Sequence, residues 1–333
     1  MVTPTTDSRD FPGVFATVSA GRPLSFARFM ELALYHPAVG YYRRNRRRTG
    51  LAADADFHTS VNLGPLFGEL VVAAAIKLAG PADWGDWTFV EIGAEPDRGV
   101  LDDVAHPFGR VATIRVGEPL NLTGPCVVFS NELFDAQPFH RLCWRGGGWR
   151  ETGVALTADR RLVEAELGEW SPEVRTLQWR MPETAPVDGY RLDLPLAAEA
   201  LCGQIADPSW TGLFLAFDYG KSWLELAETL PAGTARAYRA HRQEADLLAY
   251  PGEQDLTCHI CWDWLEAVLG ARGFSRIARE AQETFFLRHA TAAVERIVRR
   301  PSTGLDPLKS RLQQLLHPAL QGQRFQVLHA IRG

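Results

Sequence analysis

The chain has 333 residues, of which 46% are hydrophobic, 23% charged and 10% aromatic; that buries a core, excludes disorder, and at about 150 residues per domain makes roughly two domains or one large one. Thirty-five basic against 40 acidic residues leave a net charge of −5, which argues against a nucleic-acid partner, and the near absence of lysine (Lys77, Lys221 and Lys309) follows from compositional bias. No run reaches the ~18 apolar residues of a membrane helix; Met1 to Phe15 carries Asp7 and Asp10 but no signal or transit pattern, and five cysteines are too few for a disulfide scaffold, so a cytoplasmic protein without a membrane partner is expected.

Taken in order, residues 24–35 place apolar side chains at helical spacing behind Ser25 as a cap, and His36-Pro37 ends the helix. An arginine-rich polar loop covers 43–58, most simply a solvated segment, and helix resumes over 64–78. Short buried strands are predicted at 87–92, 111–116 and 126–130. Residues 139–168 alternate around Gly146 to Gly148 as a hairpin excursion. A further apolar strand at 213–217 ends in Asp218, helices are predicted at 222–229, 262–271, 289–299 and 306–316, and a last strand at 324–331. Apolar strands alternating with helices describe an α/β fold with a parallel sheet covered on both faces, whose ligand sits at the carboxyl ends of the strands. The organisation expected is a helical N-terminal region over 1–85 and an α/β core over 86–333 with an insertion at about 139–210. The strand ends single out Glu91, Asn131, Glu132 and Asp218.

Several blocks, in order, carry a resemblance. They are Phe29-Met30, Leu34-Tyr-His-Pro-Ala-Val-Gly-Tyr-Tyr42, Asp56-Phe-His-Thr59, Phe67-Gly-Glu69, Asn131-Glu-Leu-Phe-Asp-Ala-Gln-Pro138, Asp218-Tyr-Gly220, Tyr238 with His241-Arg242, and Pro251-Gly-Glu-Gln-Asp-Leu-Thr257. Together they resemble the MidA-like S-adenosylmethionine-dependent methyltransferases, which include the mitochondrial complex I assembly arginine methyltransferases. The resemblance implies a class I methyltransferase (Rossmann-like) sheet with helical N-terminal additions and an inserted substructure. It implies S-adenosylmethionine as cofactor and a protein substrate, arginine by analogy. Glu91, Gly93, Arg98 and Gly99 would line the cofactor, and Asn131, Glu132 and Asp135 would be catalytic, two carboxylates gripping a guanidinium beside the methyl group. Asn131-Glu132 could equally cap a following helix, and Asp218 could floor the pocket or cap the helix near Ser222.

Two departures from the family pattern stand out. Its first-strand loop, approximately Glu-Leu-Gly-Pro-Gly-Arg-Gly-Thr-Leu, is here Glu91-Ile-Gly-Ala-Glu-Pro-Asp-Arg-Gly-Val-Leu101, with two residues inserted, the middle glycine gone, and Glu95 and Asp97 adding negative charge. Asp97 could meet the cofactor's ammonium group, but it stands equally close to where the cofactor's carboxylate would lie. From Gly93 to Cys126 there are about 32 intervening residues, whereas two strands with their helices need roughly 50, so one strand–helix unit is expected to be lost or shortened. Glu118, about 19 residues after Gly99, stands near the offset of a ribose-binding acid. Cys258 and Cys261 have no second pair at zinc-finger spacing, and His241 and His259 are expected to be structural. No G-x-G-x-x-G turn supports a dehydrogenase, and no nucleophile elbow a hydrolase. The expectation is a methyltransferase; the alternative is a non-catalytic protein-binding or assembly factor on the same fold.

Overall fold

The computed structural model describes residues 10–43, 64–96, 98–207, 209–240, 242–301, 304 and 306–333. The chain opens with α1 (Phe11–Ser19), where the Asp10 carboxylate accepts from Gly13 N, a two-residue strand β1 (Leu24–Ser25), and α2 (Phe26–Tyr35), where Ser25 Oγ accepts from Arg28 N. The helix α3 (Pro65–Ala79) starts on proline, whose missing N–H costs nothing at that position.

Three parallel strands follow, β2 (Thr88–Ile92), β3 (Arg110–Ile114) and β4 (Gly124–Asn131). Among the described residues only β3 lies between β2 and β4 in the chain, one strand where the family pattern implies two. Among its described residues the β2–β3 connection contains no helix either. Its residues Val100, Leu101, Val104 and Phe108 are buried against α3 and cover the sheet where a helix would otherwise lie.

The chain then leaves the sheet for an antiparallel excursion, β5 (His140–Arg145), β6 (Gly148–Leu156), β7 (Leu162–Glu166), the one-turn α4 (Pro172–Thr176) and β8 (Arg191–Leu194). These strands form their own sheet, which β1 joins through β6. The chain returns through α5 (Leu196–Ile205) to β9 (Trp210–Asp218), which pairs in parallel with β4. Short elements follow: β10 (Gly220–Lys221), α6 (Trp223–Glu228), β11 (Arg236–Arg239), β12 (Arg242–Glu244), β13 (Asp255–Thr257) and β14 (Ile260–Cys261). The chain closes with α7 (Trp262–Ala271), β15 (Ser275–Ala281), α8 (Gln282–His289), α9 (Thr291–Val298), α10 (Pro307–Leu316) and β16 (Gln326–Arg332).

The six-stranded sheet runs in the order β15-β16-β9-β4-β2-β3. The sheet is mixed rather than wholly parallel: β16 is antiparallel to both neighbours, because the three helices after β15 begin and end at the same edge of the sheet and feed β16 in from the top. Helices cover both faces. Val127, Phe129, Leu215 and Phe217 face α3 and α8–α10, while Val128, Phe214 and Leu328 face α5 and α7. Burying both faces explains why these strands are continuous apolar runs. A third cluster joins α1 and α2 to β6 and β13. Among the described residues no helix is long and apolar enough to cross a membrane.

Candidate functional site

The carboxyl ends of β2, β4 and β9 and the start of β16 open onto one cavity of about 620 Å³, a size suited to a small-molecule ligand. At the end of β2 the chain turns at Gly93, whose φ of +84° suits glycine and whose N–H donates to Ile114 O at 2.8 Å. Beneath that turn the buried Glu91 accepts from Val100 N at 2.7 Å, and burial pushes its carboxyl up to about 7. Gly99 donates its N–H to Asp102 Oδ2 at 2.9 Å and packs behind Glu91.

At the end of β4, Glu132 N donates to Phe217 O at 2.9 Å while Glu132 itself adopts φ +51°, a left-handed conformation that costs a non-glycine residue energy. Its Oε1 accepts from Asn131 Nδ2 at 3.0 Å. Asp135 follows in the same turn. Burial first, then the facing Asp135, raises the Glu132 carboxyl well above its ordinary range; burial raises Asp135 to about 6, opposed by a hydrogen bond from Tyr219.

Asp218 supports this turn from below. Its Oδ2 accepts from Phe134 N and its Oδ1 from Tyr219 N, both at 2.9 Å. It therefore neither lines the cavity nor caps α6, which Ser222 and Glu225 cap with a reciprocal box. The Asn131-Glu132 pair likewise caps no helix, since 132–139 is a turn. Close to these carboxylates, Tyr42 Oη donates to Asp255 Oδ1 at 2.8 Å and its ring stacks on Tyr35 with centroids 5.5 Å apart.

Of the residues expected from sequence, the structure gathers Glu91, Gly93, Arg98, Asn131, Glu132 and Asp135 around this cavity. Gly99 and Glu118 do not line it. Glu118 is exposed and turns its carboxylate back to accept from Arg115 N at 2.7 Å, which spends it on its own turn. Asp97, His241 and the arginines 44, 46, 47 and 48 lie outside the described residues. Sequence reasoning passed over Tyr42, Tyr219, Asp255 and His259 as site residues, although the first three fall inside the blocks quoted above. Gln326 and Arg324 carried no signal at all. The expectation of a satisfied structural histidine fails for His259: its Nδ1 is buried without a partner, and burial, with Arg236 and Lys221 nearby, pushes it down to about 4.

Asn131 Oδ1, Asp135 Oδ1 and Gln326 Oε1 are also buried without hydrogen-bond partners, and all four residues line the cavity. Such orphans are costly unless a ligand or water satisfies them. With a glycine-opened turn and both carboxylates and cations lining the cavity, these residues fit a zwitterionic nucleoside cofactor.

Two other clusters offer less. Cys258 and Cys261 are buried free thiols, the latter pushed up to about 12 by burial. Glu280 Oε1 meets His289 Nε2 at 2.7 Å and His329 Nε2 at 3.1 Å, but the Arg288 guanidinium already sits 2.8 Å from the other carboxylate oxygen. That is a closed ion network, with a fixed positive charge where a metal ion would need to approach.

A sheet in the order β3-β2-β4-β9-β16-β15 with one antiparallel strand, and a cavity over a glycine turn, define the class I methyltransferase fold. Comparison with known proteins agrees. Residues 106–278 match the family described as "Putative S-adenosyl-L-methionine-dependent methyltransferase". The chain is 23% identical to the Drosophila melanogaster mitochondrial "protein arginine methyltransferase NDUFAF7 homolog", over 96% of this chain and 84% of that one. It is 26% identical to the Xenopus tropicalis "protein arginine methyltransferase NDUFAF7, mitochondrial", over 77% and 70%. Its fold superposes with a TM-score of 0.81 on a Burkholderia thailandensis protein crystallised with S-adenosyl-homocysteine, at 22% identity, covering 100% of this chain and 95% of that one. The chain belongs to this S-adenosylmethionine-dependent methyltransferase family.

Proposed function

We propose that this enzyme methylates a side-chain nitrogen of a protein, with arginine as the acceptor. The observation that carries the reading is the acceptor-side wall of the cavity. Glu132, Asp135 and Asp255 present carboxylates beside the stacked rings of Tyr35 and Tyr42. Carboxylates in a partly dry site, next to aromatic faces, suit a planar guanidinium better than the compact ammonium of lysine. The names of the relatives point the same way.

The cofactor supplies an electrophilic methyl on a sulfonium. The chain's own residues supply position and charge. Glu132 is held rigidly by its backbone bond to Phe217 and by the Asn131 amide, so it can fix the acceptor nitrogen in line with the methyl carbon. Its carboxylate, and that of Asp135, can receive the proton which the guanidinium sheds after transfer.

The test uses labelled S-adenosylmethionine with arginine-containing and lysine-containing peptide mixtures, alongside calorimetric titration with S-adenosylhomocysteine. Label on arginine peptides, lost in Glu132→Gln while product affinity stays within a few-fold, is the expected result. Label on lysine alone overturns the acceptor. Full activity in Glu132→Gln removes that residue from the mechanism. A folded protein that binds no S-adenosylhomocysteine favours the non-catalytic assembly factor instead.

A further inference from the structure

In sheets of this kind an acid at the end of the second strand takes the ribose hydroxyls. Here β3 ends at Ile114 and the next residue is Arg115, while Glu118 is committed to its own turn. The Arg115 side chain does something specific with that position. Its Nε donates to Glu95 O at 3.1 Å and its Nη1 to Thr113 Oγ1 at 2.7 Å. The strand-end side chain therefore reaches across to the loop after β2 and fixes Glu95 beside the end of β3. A backbone bridge between Glu95 and Arg98 closes the turn from the other side. Glu95 is half-buried and, with Gly93, Arg98 and Val116, lines the end of the cavity nearest β2 and β3.

Resting on the methyltransferase reading above, we propose that Glu95 binds the vicinal ribose hydroxyls of the cofactor, its carboxylate arriving from the enlarged loop after β2 in place of the acid that β3 lacks. A carboxylate has two acceptor oxygens, one for each hydroxyl of a diol. The loop's two extra residues then have a purpose, because they bring Glu95 to where Arg115 holds its backbone carbonyl at the end of β3. The competing donor within the same ligand is the ammonium of the amino-acid arm, and the probes are chosen to separate the two.

The full chain and its Glu95→Gln variant are titrated with S-adenosylhomocysteine and with 5′-deoxy-5′-methylthioadenosine, which keeps adenine and ribose but has no amino-acid arm. Glu95→Gln is expected to weaken both probes by a similar factor, about ten- to a hundredfold, as for lost charge-assisted hydrogen bonds. Unchanged affinity for both overturns the assignment. A loss confined to S-adenosylhomocysteine places Glu95 on the ammonium and overturns it too. A wild-type protein that binds neither probe fails the methyltransferase reading itself, a result visible before any variant is compared. Should Glu95→Gln not fold, Arg115→Met releases the loop while keeping the acid; it is expected to weaken both probes several-fold, and unchanged affinity there also overturns the proposal.

Discussion

Glu91 shows how one residue can link stability to pH in this site. It sits under the Gly93 turn, buried, with the Val100 N–H as its hydrogen-bond donor. Its folded pKa of about 7 exceeds the ordinary carboxylate value, so the folded state holds the proton more tightly than the unfolded chain does. Stability from this group is therefore fully present at low pH and is lost as pH rises from the unfolded value through about 7. Gln keeps an acceptor for Val100 N and does not titrate. Thermal melts of wild type and Glu91→Gln should run close together near pH 5 and separate by pH 8, the variant being more stable by up to ~3 kcal/mol. Parallel pH profiles would show that Glu91 is ionised in the fold throughout. The same desolvation acts on Glu132 and Asp135, and carboxylates held out of water regain their charge most favourably when a cation arrives.

At the scale of elements, the helix-free connection after β2 depends on one glycine. A Cβ on Gly68 of α3 would lie 2.3 Å from Val100 O and 2.9 Å from Val104 Cγ2. Gly68→Ala should gain up to ~1 kcal/mol of helix propensity and lose more by pushing the loop away, a net destabilisation of ~1–3 kcal/mol. Because that loop carries Arg98, affinity for S-adenosylhomocysteine should fall with it. A variant more stable than wild type would show that the loop yields without cost. This packing was not legible in the sequence, where Phe67-Gly-Glu69 was only part of a family block. What could be read were the sheet strands, since burial on both faces leaves uninterrupted apolar runs such as 213–217, and the shortened segment, since residue count bounds what fits between two strands. The direction of β16 could not be read, because strand polarity depends on which edge a connection returns to. Glu118 misled for a related reason: spacing places an acid near a strand end but does not say which way its carboxylate turns. The place of Asn131, Glu132 and Asp135 at the cavity was legible because Asn131 ends a strand whose carboxyl end lies on the ligand side and the other two follow it.

Across the whole molecule, the inserted sheet is tied through a buried ion pair to the part of the cavity wall built by β11 and β13. Arg141 on β5 donates through Nε to Asp193 Oδ1 of β8 at 2.7 Å, and its guanidinium lies over Phe26 and Phe139. Asp193 Oδ2 also accepts from Thr234 N at 2.7 Å and Ala235 N at 3.0 Å, at the entry to β11. That strand carries Tyr238 and pairs with β13, which carries Asp255. One carboxylate thus ties three separate parts of the chain together. Arg141 and these N–H groups hold the Asp193 carboxyl below its usual range despite burial, so the pair contributes stability above the ordinary aspartate pKa that is lost as pH falls. Asp193→Leu leaves a buried guanidinium and two N–H groups without an acceptor, and should cost ~3–5 kcal/mol. Adding Arg141→Met removes the stranded charge and should restore part of that loss, but not all of it, because Thr234 N and Ala235 N stay unsatisfied. Denaturation midpoints of the two variants measure the difference, and methyl transfer should remain impaired in the double variant, since the β11–β13 wall is still untethered. Full recovery of both stability and transfer would mean that the pair only fills space, and that the β11–β13 wall is held in place by its apolar contacts alone.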